Sequence, residues 1–377
     1  MPRDETTAMK RRELLRNTGA IAATAIVGAV AASNLPKPAI SQGLLELKMV
    51  TTWPKNFPGL GVGAERLARR ITKGSNEKIL VKVFAASELV PPFESHDAVA
   101  DGSADIYHGT EYFWQDKSKA FNFFAAIPFG LTPTEMDAWI LHGGGQSIWD
   151  ELAAEFNIKP FLAGNTGVQM GGWFNKEIND LHDYAGLKIH MPNLGGEVLR
   201  QFGAAPVNLP GDEIFRALKM GSIDATEWFG PWHDLASGFH KVAKYYYYPG
   251  FHEPGTTISS GINKNIWDGL TVEHKLLIES AMAAENNFML AEFNARNIAS
   301  LQLLVTQLGV DVRRLPDEVL NEIGRSSGEV VAKIANTDAF AKKAYQSFIT
   351  FRRNAITWSK LTDQAYLNAR LLPFKYS

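Results

Sequence analysis

Between Leu45 and about Gly261 the chain switches repeatedly between two hydrophobic periods. Leu45 to Thr52 alternates apolar and polar residues and reads as a strand. Pro58 to Lys73 sets Leu60, Ala64, Leu67, Ala68 and Ile71 on one helical face, and Ile79 to Phe84 alternates again. This alternation predicts an α/β fold, layered around mainly parallel sheets. From Thr271 to Leu308 the pattern is helical without a proline, and from Pro316 it is helical again to about Arg370. Helices of that length in an α/β protein brace two lobes or form a dimer contact. With 377 residues there is room for two domains. The expected division is lobe one over 42–164, continued by part of 254–377, lobe two over 165–253, and bracing helices over 265–377. Basic and acidic residues nearly cancel, 38 against 40, so no charge balance points to nucleic acid. The chain has no cysteine, which excludes disulfides, thiolate metal sites and a cysteine nucleophile.

The start of the chain reads as an address. Lys10-Arg11-Arg12-Glu13-Leu14-Leu15-Arg16 precedes an uncharged, mostly apolar run from Asn17 to Ala32. That run is shorter than the ~20 residues a bilayer span needs. The order of charged start, apolar middle and small residues predicts an export signal over 1–41. The paired arginines favour the twin-arginine (Tat) route over an ordinary Sec signal. Cleavage after Ser33 or Ser41 fits, and Ala39-Ile40-Ser41 has the small-x-small pattern.

One motif occurs twice. Asp97 to Gly109 reads DAVADGSADIYHG and Phe215 to Gly230 reads FRALKMGSIDATEWFG. Each predicts a short amphipathic helix, a Gly-Ser-x-Asp turn and a brief strand, with Gly102 and Gly221 supplying the positive φ that ends the helix. Ligands bind beyond the carboxyl ends of strands in open α/β sheets. The echo therefore places His108 and Glu227, three residues after each aspartate, across one cleft from each other.

Four further segments carry chemistry: NTGVQMGGW over 165–173, GLKIHMP over 186–192 with His190 on a strand, DATEWFGP over 224–231, and the rigid aromatic KYYYYPGFHEPG over 244–255. A Glu carboxylate, a Gln amide oxygen and a backbone carbonyl are hard ligands, suited to Na⁺ or Ca²⁺ rather than zinc. Aromatic walls would cover the apolar part of an organic carboxylate. Two hydrolase-like motifs are decoys. His142-Gly143-Gly144-Gly145 resembles an oxyanion segment, and Gly324-Arg325-Ser326-Ser327-Gly328 fits a nucleophile elbow. The histidine of that fold follows its serine, but the last histidine here is His274, and Glu318 to Val331 reads as helix. No histidine pair has a metal-binding H-x-x-x-H spacing.

Together the segments SELVPPFESHDAVADGSADIYHG, AIPFGL, GGGQSIWDELAAEF, GNTGVQMGGWFNKEIN, LKIHMPNLGGEVL, GSIDATEWFGP and KYYYYPGFHEPG resemble the DctP-like solute-binding subunits of TRAP transporters. The branch they look most like binds 2-oxo acids and related monocarboxylates. The resemblance implies a two-lobed periplasmic binding protein fold, a ligand clamped in the cleft, and delivery to sodium-driven membrane permease subunits. It further implies a metal cation, Na⁺ or Ca²⁺, held by Gln169, Glu227 and the carbonyl of Trp228 and shared with the ligand's carboxylate. Tyr112 is the implied tyrosine contact. His108, Asn193, Phe251 and His252 complete the candidate ligand-binding set with His190, Gln169, Glu227, Trp228 and Tyr112.

His190 departs from the family pattern. The family places an arginine there, which grips a carboxylate with two parallel hydrogen bonds. Histidine is shorter, gives one donor per nitrogen and titrates near neutrality. Three consequences stay open: an imidazolium holding the carboxylate, a hydrogen bond to another polar group of a ligand that is not a simple 2-oxo acid, or room for a larger ligand. The expected function is periplasmic capture of a small 2-oxo or 2-hydroxy monocarboxylate with a cation, without catalysis. A sensor or scavenger lacking a permease, and a metal-assisted hydrolase, are the alternatives. The hydrolase lacks a nucleophile–base pair. The long C-terminal helices permit a homodimer.

Overall fold

The computed structural model describes residues 40–41, 43–209 and 211–376. The predicted export signal falls almost entirely outside the described residues. In chain order the first half holds β1 (Ile40–Ser41), β2 (Leu44–Thr51), α1 (Leu60–Gly74), β3 (Ile79–Phe84), α2 (Ser95–Asp101), β4 (Ile106–Gly109), α3 (Pro133–His142), α4 (Gly145–Ala154), β5 (Ile158–Asn165), β6 (Gly172–Phe174) and β7 (Lys188–His190). The second half holds α5 (Asn193–Arg200), β8 (Ala205–Val207), α6 (Gly211–Met220), β9 (Ala225–Thr226), α7 (Pro231–Ser237), β10 (Tyr245–Tyr248), β11 (Thr257–Asn263), α8 (Lys264–Gly269), α9 (Val272–Thr306), β12 (Asp311–Arg314), α10 (Asp317–Ile334), α11 (Ala339–Leu361) and α12 (Asp363–Ala369).

These strands form two sheets. The first runs β1-β2-β4-β11-β5 with β3 also on β2, and the second runs β12-β10-β6-β9-β7-β8. Alternating residues of β2 face different layers, as a period of two requires. Leu47 and Met49 pack with Leu67, Ile71, Ile278 and Met282 of α1 and α9. Val50 belongs to the opposite layer with Tyr107, Trp114, Phe124, Trp139 and Trp149.

The sheets are mixed, which corrects the expectation of mainly parallel ones. β2 is parallel to β3 and β4, but β11 is antiparallel to both β4 and β5. In the second sheet β7 is parallel to β8 and β9, while β6 is antiparallel to β9 and β10. The register gives the reason. The chain leaves the first sheet after Asn165 and re-enters it at Thr257, directly opposite Asn165. It enters the second sheet at Gly172 and leaves beside it, Tyr247 lying opposite Gly172. Both crossings use the same sheet ends, so each returning strand runs backward.

The helical stretches read from sequence are α9, α10 and α11 with α12. The residues between α9 and α10 form β12, which joins the edge of the second sheet by pairing with β10, a strand the periodicity does not reveal. α9 packs against β5 and α1 of the first sheet's layers and against α7 after β9. Among the described residues no helix is long and apolar enough to cross a membrane. The hydrolase-like motifs are helical features. His142 ends α3, Gly144 turns left-handed at φ 87°, and Ser326 and Ser327 lie buried inside α10.

Candidate functional site

The two crossings between the sheets, 166–171 and 249–256, lie side by side. Thr166 N donates to Thr256 O at 3.1 Å, Gly250 N to Gln169 O at 3.0 Å and Gly171 N to Tyr247 O at 2.7 Å. At Gly250 the approach is so close that a Cβ would sit 2.6 Å from the Gln169 carbonyl oxygen, so only glycine fits. The Gln169 side chain is buried between the crossings. Its Nε2 lies 2.8 Å from Thr256 Oγ1, 3.0 Å from Glu253 Oε2 and 3.2 Å from Thr166 Oγ1. Its Oε1 is buried without a hydrogen-bond partner.

Glu227 stands just beyond the end of β9, its N donating to His190 O at 2.9 Å. Its Oε2 is 3.2 Å from His252 Nε2, an ion-pair contact without well-directed hydrogen-bond geometry. Glu253 is buried against Gln169 and Thr256. Burial, then the charge of Glu227, pushes the Glu253 carboxyl up to about 7. Burial opposes the charged form of His252, yet Glu227 and Glu253 outweigh it and raise its pKa above the usual imidazole value. Tyr112, in the short helical turn Glu111–Trp114, feels the same charges. Burial first, then Glu253 and Glu227, hold its hydroxyl well above the usual phenol range.

His190, at the end of β7, accepts a hydrogen bond at Nδ1 from Leu209 N at 3.1 Å. A nitrogen that accepts carries no proton, so the ring is neutral with its proton on Nε2. Burial lowers its pKa, against the partial opposition of Glu227. The imidazolium reading of His190 is therefore not the form this structure holds. The Trp228 ring lies tilted 6.1 Å from the His190 ring, and its Nε1 is buried without a partner. Asn193 opens α5 with φ 60°; its Oδ1 accepts from Gln115 Nε2 at 3.4 Å and its Nδ2 has no partner.

The sequence candidates thus divide. Glu227 and His252 meet directly, Gln169 joins them through Glu253, whose carboxyl feels both of their charges, Tyr112 lies within the field of the two acids, and His190, Trp228 and Asn193 lie at the end of β7. His108 does not join them. Its Nδ1 accepts from Trp53 Nε1 at 3.0 Å, burial drives its pKa down to about 3, and Arg66 is the charge it feels. Among the described residues no hydrogen bond or ion pair connects it to Glu227, and its Nε2 is buried without a partner. The cause is strand length: His108 sits inside β4, paired with Thr51 and Ser260, whereas Glu227 lies past its strand. Phe251 packs in the core, its ring 5.9 Å from Phe129 and its carbonyl bonded to Phe129 N. Glu253 is the residue the sequence reading missed. Its one signal was a carboxylate beside His252 in the aromatic segment.

The site residues leave a buried hard oxygen, Gln169 Oε1, and the donors Trp228 Nε1 and Asn193 Nδ2 without partners. Among the described residues no three His, Cys, Asp or Glu side chains converge as a metal-ligand group. A cation here would need amide and carbonyl oxygens in addition to carboxylates. Gln169 Oε1 supplies one, already desolvated, and two buried carboxylates, Glu227 and Glu253, supply the reason for a positive charge. The residues present therefore fit Na⁺ or Ca²⁺.

The profile of bacterial extracellular solute-binding protein family 7, DctP, matches residues 49–338. The chain belongs to this family. Its members are periplasmic binding subunits, not enzymes, and the family implies a TRAP permease partner. A relative from Nostoc sp. is a monocarboxylate 2-oxoacid-binding periplasmic protein, 37% identical over 362 residues that cover 96% of this chain and 98% of the relative. A TRAP solute-binding protein from Pseudoalteromonas atlantica T6c, solved with bound sodium and pyruvate, superposes with TM-score 0.82 at 34% identity, covering 88% of this chain and 100% of that one. One from Bordetella bronchiseptica RB50 superposes with TM-score 0.82 at 33% identity, covering 87% of this chain and 97% of that one; it is a mixed-occupancy dimer with copurified calcium and picolinate. The two-lobed DctP fold accounts for the paired sheets and the crossings between them.

Proposed function

We propose that this DctP-family protein captures a small 2-oxo or 2-hydroxy monocarboxylate together with Na⁺ or Ca²⁺ and delivers it to TRAP permease subunits. The observation that carries this reading is the buried, unpartnered Gln169 Oε1 on an amide whose Nε2 binds Glu253, the carboxylate raised by the charge of Glu227. Gln169, Glu227 and the Trp228 carbonyl would hold the cation, with Glu253 close behind. A bound cation supplies positive charge to the ligand's carboxylate. The protein's own donors are His190 Nε2, Asn193 Nδ2 and Trp228 Nε1, with the protonated Tyr112 hydroxyl facing the same acids. Neutral His190 gives one hydrogen bond where the family's arginine gives two plus a charge. More of the charge compensation then falls to the cation. This is the distinctive feature we assign to this chain. His252 contributes through Glu227, and His108 and Phe251 support the walls rather than touch the ligand.

The lobes would divide as 42–164 and 165–253, the former completed by part of 254–377, with 265–377 bracing both. Capture shifts the population toward a closed form, which the ligand must bind more tightly than the open one. The hydrogen bond from Gln115 Nε2 to Asn193 Oδ1 at 3.4 Å would then join the two proposed lobes. Export by the Tat route, with removal of 1–41, would place the protein in the periplasm. A homodimer through the C-terminal helices agrees with the exposed Trp358, Leu361, Tyr366, Leu371 and Phe374.

Native mass spectrometry of the mature protein, followed by gentle unfolding, tests the reading. A released monocarboxylate accompanied by sodium or calcium is the expected result. An empty protein with no thermal shift toward pyruvate, lactate or other monocarboxylates in the presence of either cation would refute the substrate class.

A further inference from the structure

The proton inventory around Gln169 leaves its amide one orientation. Thr166 Oγ1 donates its hydrogen to Gly167 O at 3.2 Å, and Thr256 Oγ1 donates its own to Glu253 Oε2. Both hydroxyls therefore turn only lone pairs toward Gln169, and Glu253 Oε2, which already accepts from Thr256 Oγ1, does the same. The two threonines also lock each other. Thr256 N donates to Thr166 Oγ1 at 3.0 Å, while Thr166 N donates to Thr256 O at 3.1 Å. All four residues are buried, Thr166 and Thr256 completely. A flipped amide would set its oxygen against three acceptors and leave its two N–H groups facing the cleft, a double loss of hydrogen bonding in a buried place.

We propose that Thr166 and Thr256 are positioning residues that fix the Gln169 amide with Oε1 toward the cation and Nε2 away from it, so that the hard oxygen is preset before any ligand arrives. The role presupposes that Gln169 is a cation ligand. Outer partners of this kind orient the groups that bind a metal, and their loss lowers metal affinity by about 10- to 100-fold. The two threonines lie on separate crossings between the sheets. The same bracket therefore ties the Gln169 amide to both crossings between the sheets.

The test compares Thr256→Val and Thr166→Val, which keep shape and remove the hydroxyl, with Thr256→Ser, which restores it. Calcium affinity is measured by calorimetry on chelator-treated full mature protein. The Gln169 side-chain amide is followed by ¹⁵N NMR without metal and assigned by its absence in Gln169→Glu. The valine variants should lose about 10- to 100-fold in calcium affinity, with Gln169 amide signals shifted and exchanging faster. The serine variant should recover both. Valine variants with unchanged affinity and unchanged amide signals would overturn the bracket, as would a serine variant that behaves like valine. A wild-type protein that takes up neither calcium nor sodium would instead overturn the cation reading on which the role depends. The two failures are thus told apart by which protein shows them.

Discussion

The two helix–glycine–strand joints, 95–109 and 211–230, begin alike and end in different chemistry. Both helices stop at a left-handed glycine, Gly102 at φ 84° and Gly221 at φ 70°, and both turn into a strand that pairs near the cleft. β4 then runs four residues and keeps His108 in the ladder, bonded to Trp53 in an apolar layer with Leu60, Met289 and Phe293 nearby. β9 stops after two residues, and Glu227 turns into the acid cluster of the crossings. A repeated motif therefore specifies backbone. Where the strand ends decides whether the same sequence position stays in the ladder or turns toward the crossings.

The largest expected contrast is in binding. Glu227→Gln should weaken pyruvate and calcium binding together by roughly a hundredfold, about 3 kcal/mol, as losing one buried charge of a group does. His108→Gln should leave both affinities within about threefold, roughly 0.6 kcal/mol by the usual conversion. Equal losses in calorimetry would restore His108 to the site and dissolve the distinction between the joints.

The second contrast is in acid sensitivity. His108 titrates near 3 in the folded protein and near 6.5 when unfolded, so the unfolded state binds more protons between those values. Its contribution to stability is complete above about pH 6.5 and falls as the pH drops toward 3. His108→Leu should flatten that part of the stability–pH curve, read by urea unfolding, while leaving Trp53 Nε1 unpaired at a cost of about 1–3 kcal/mol. An unchanged slope below pH 6.5 would mean that His108 is not the buried neutral ring described here.

A smaller test addresses what the joints share. Neither Gly102 nor Gly221 has a neighbour near the position a Cβ would take, so alanine meets only the left-handed backbone penalty of about 1–2 kcal/mol. The two substitutions should lower stability by similar amounts, and a large inequality would show that the joints are not equivalent turns. The smallest effect concerns His190. Because its Nδ1 accepts from Leu209, wild type and His190→Gln should show parallel pH profiles of ligand affinity between pH 6 and 8. A wild-type affinity that rises alone toward pH 6 would return the imidazolium reading.

Much of this was legible in the sequence because it depends on local period. β3 falls on its predicted residues, β2 and α1 within two of theirs, and the uninterrupted helix pattern gave α9. What escaped is non-local. Strand direction in the two sheets follows from where the chain crosses between them, which no window reveals. The site draws on residues 112, 169, 190, 227 and 253, each from a separate segment. Glu253 gained its role only from lying across the crossings from Gln169. His108 and Glu227 share one spacing from their glycines, and spacing carries no information about where β9 ends.

The central claim is that one buried constellation holds cation and carboxylate together. Calorimetry on chelator-treated mature protein tests it by reciprocal linkage, measuring pyruvate affinity with and without saturating calcium and calcium affinity with and without saturating pyruvate. The account predicts that each strengthens the other by the same factor, about tenfold or more, because linked binding free energies are reciprocal. Pyruvate affinity indifferent to calcium, with calcium bound all the same, would place the two in separate sites and contradict it.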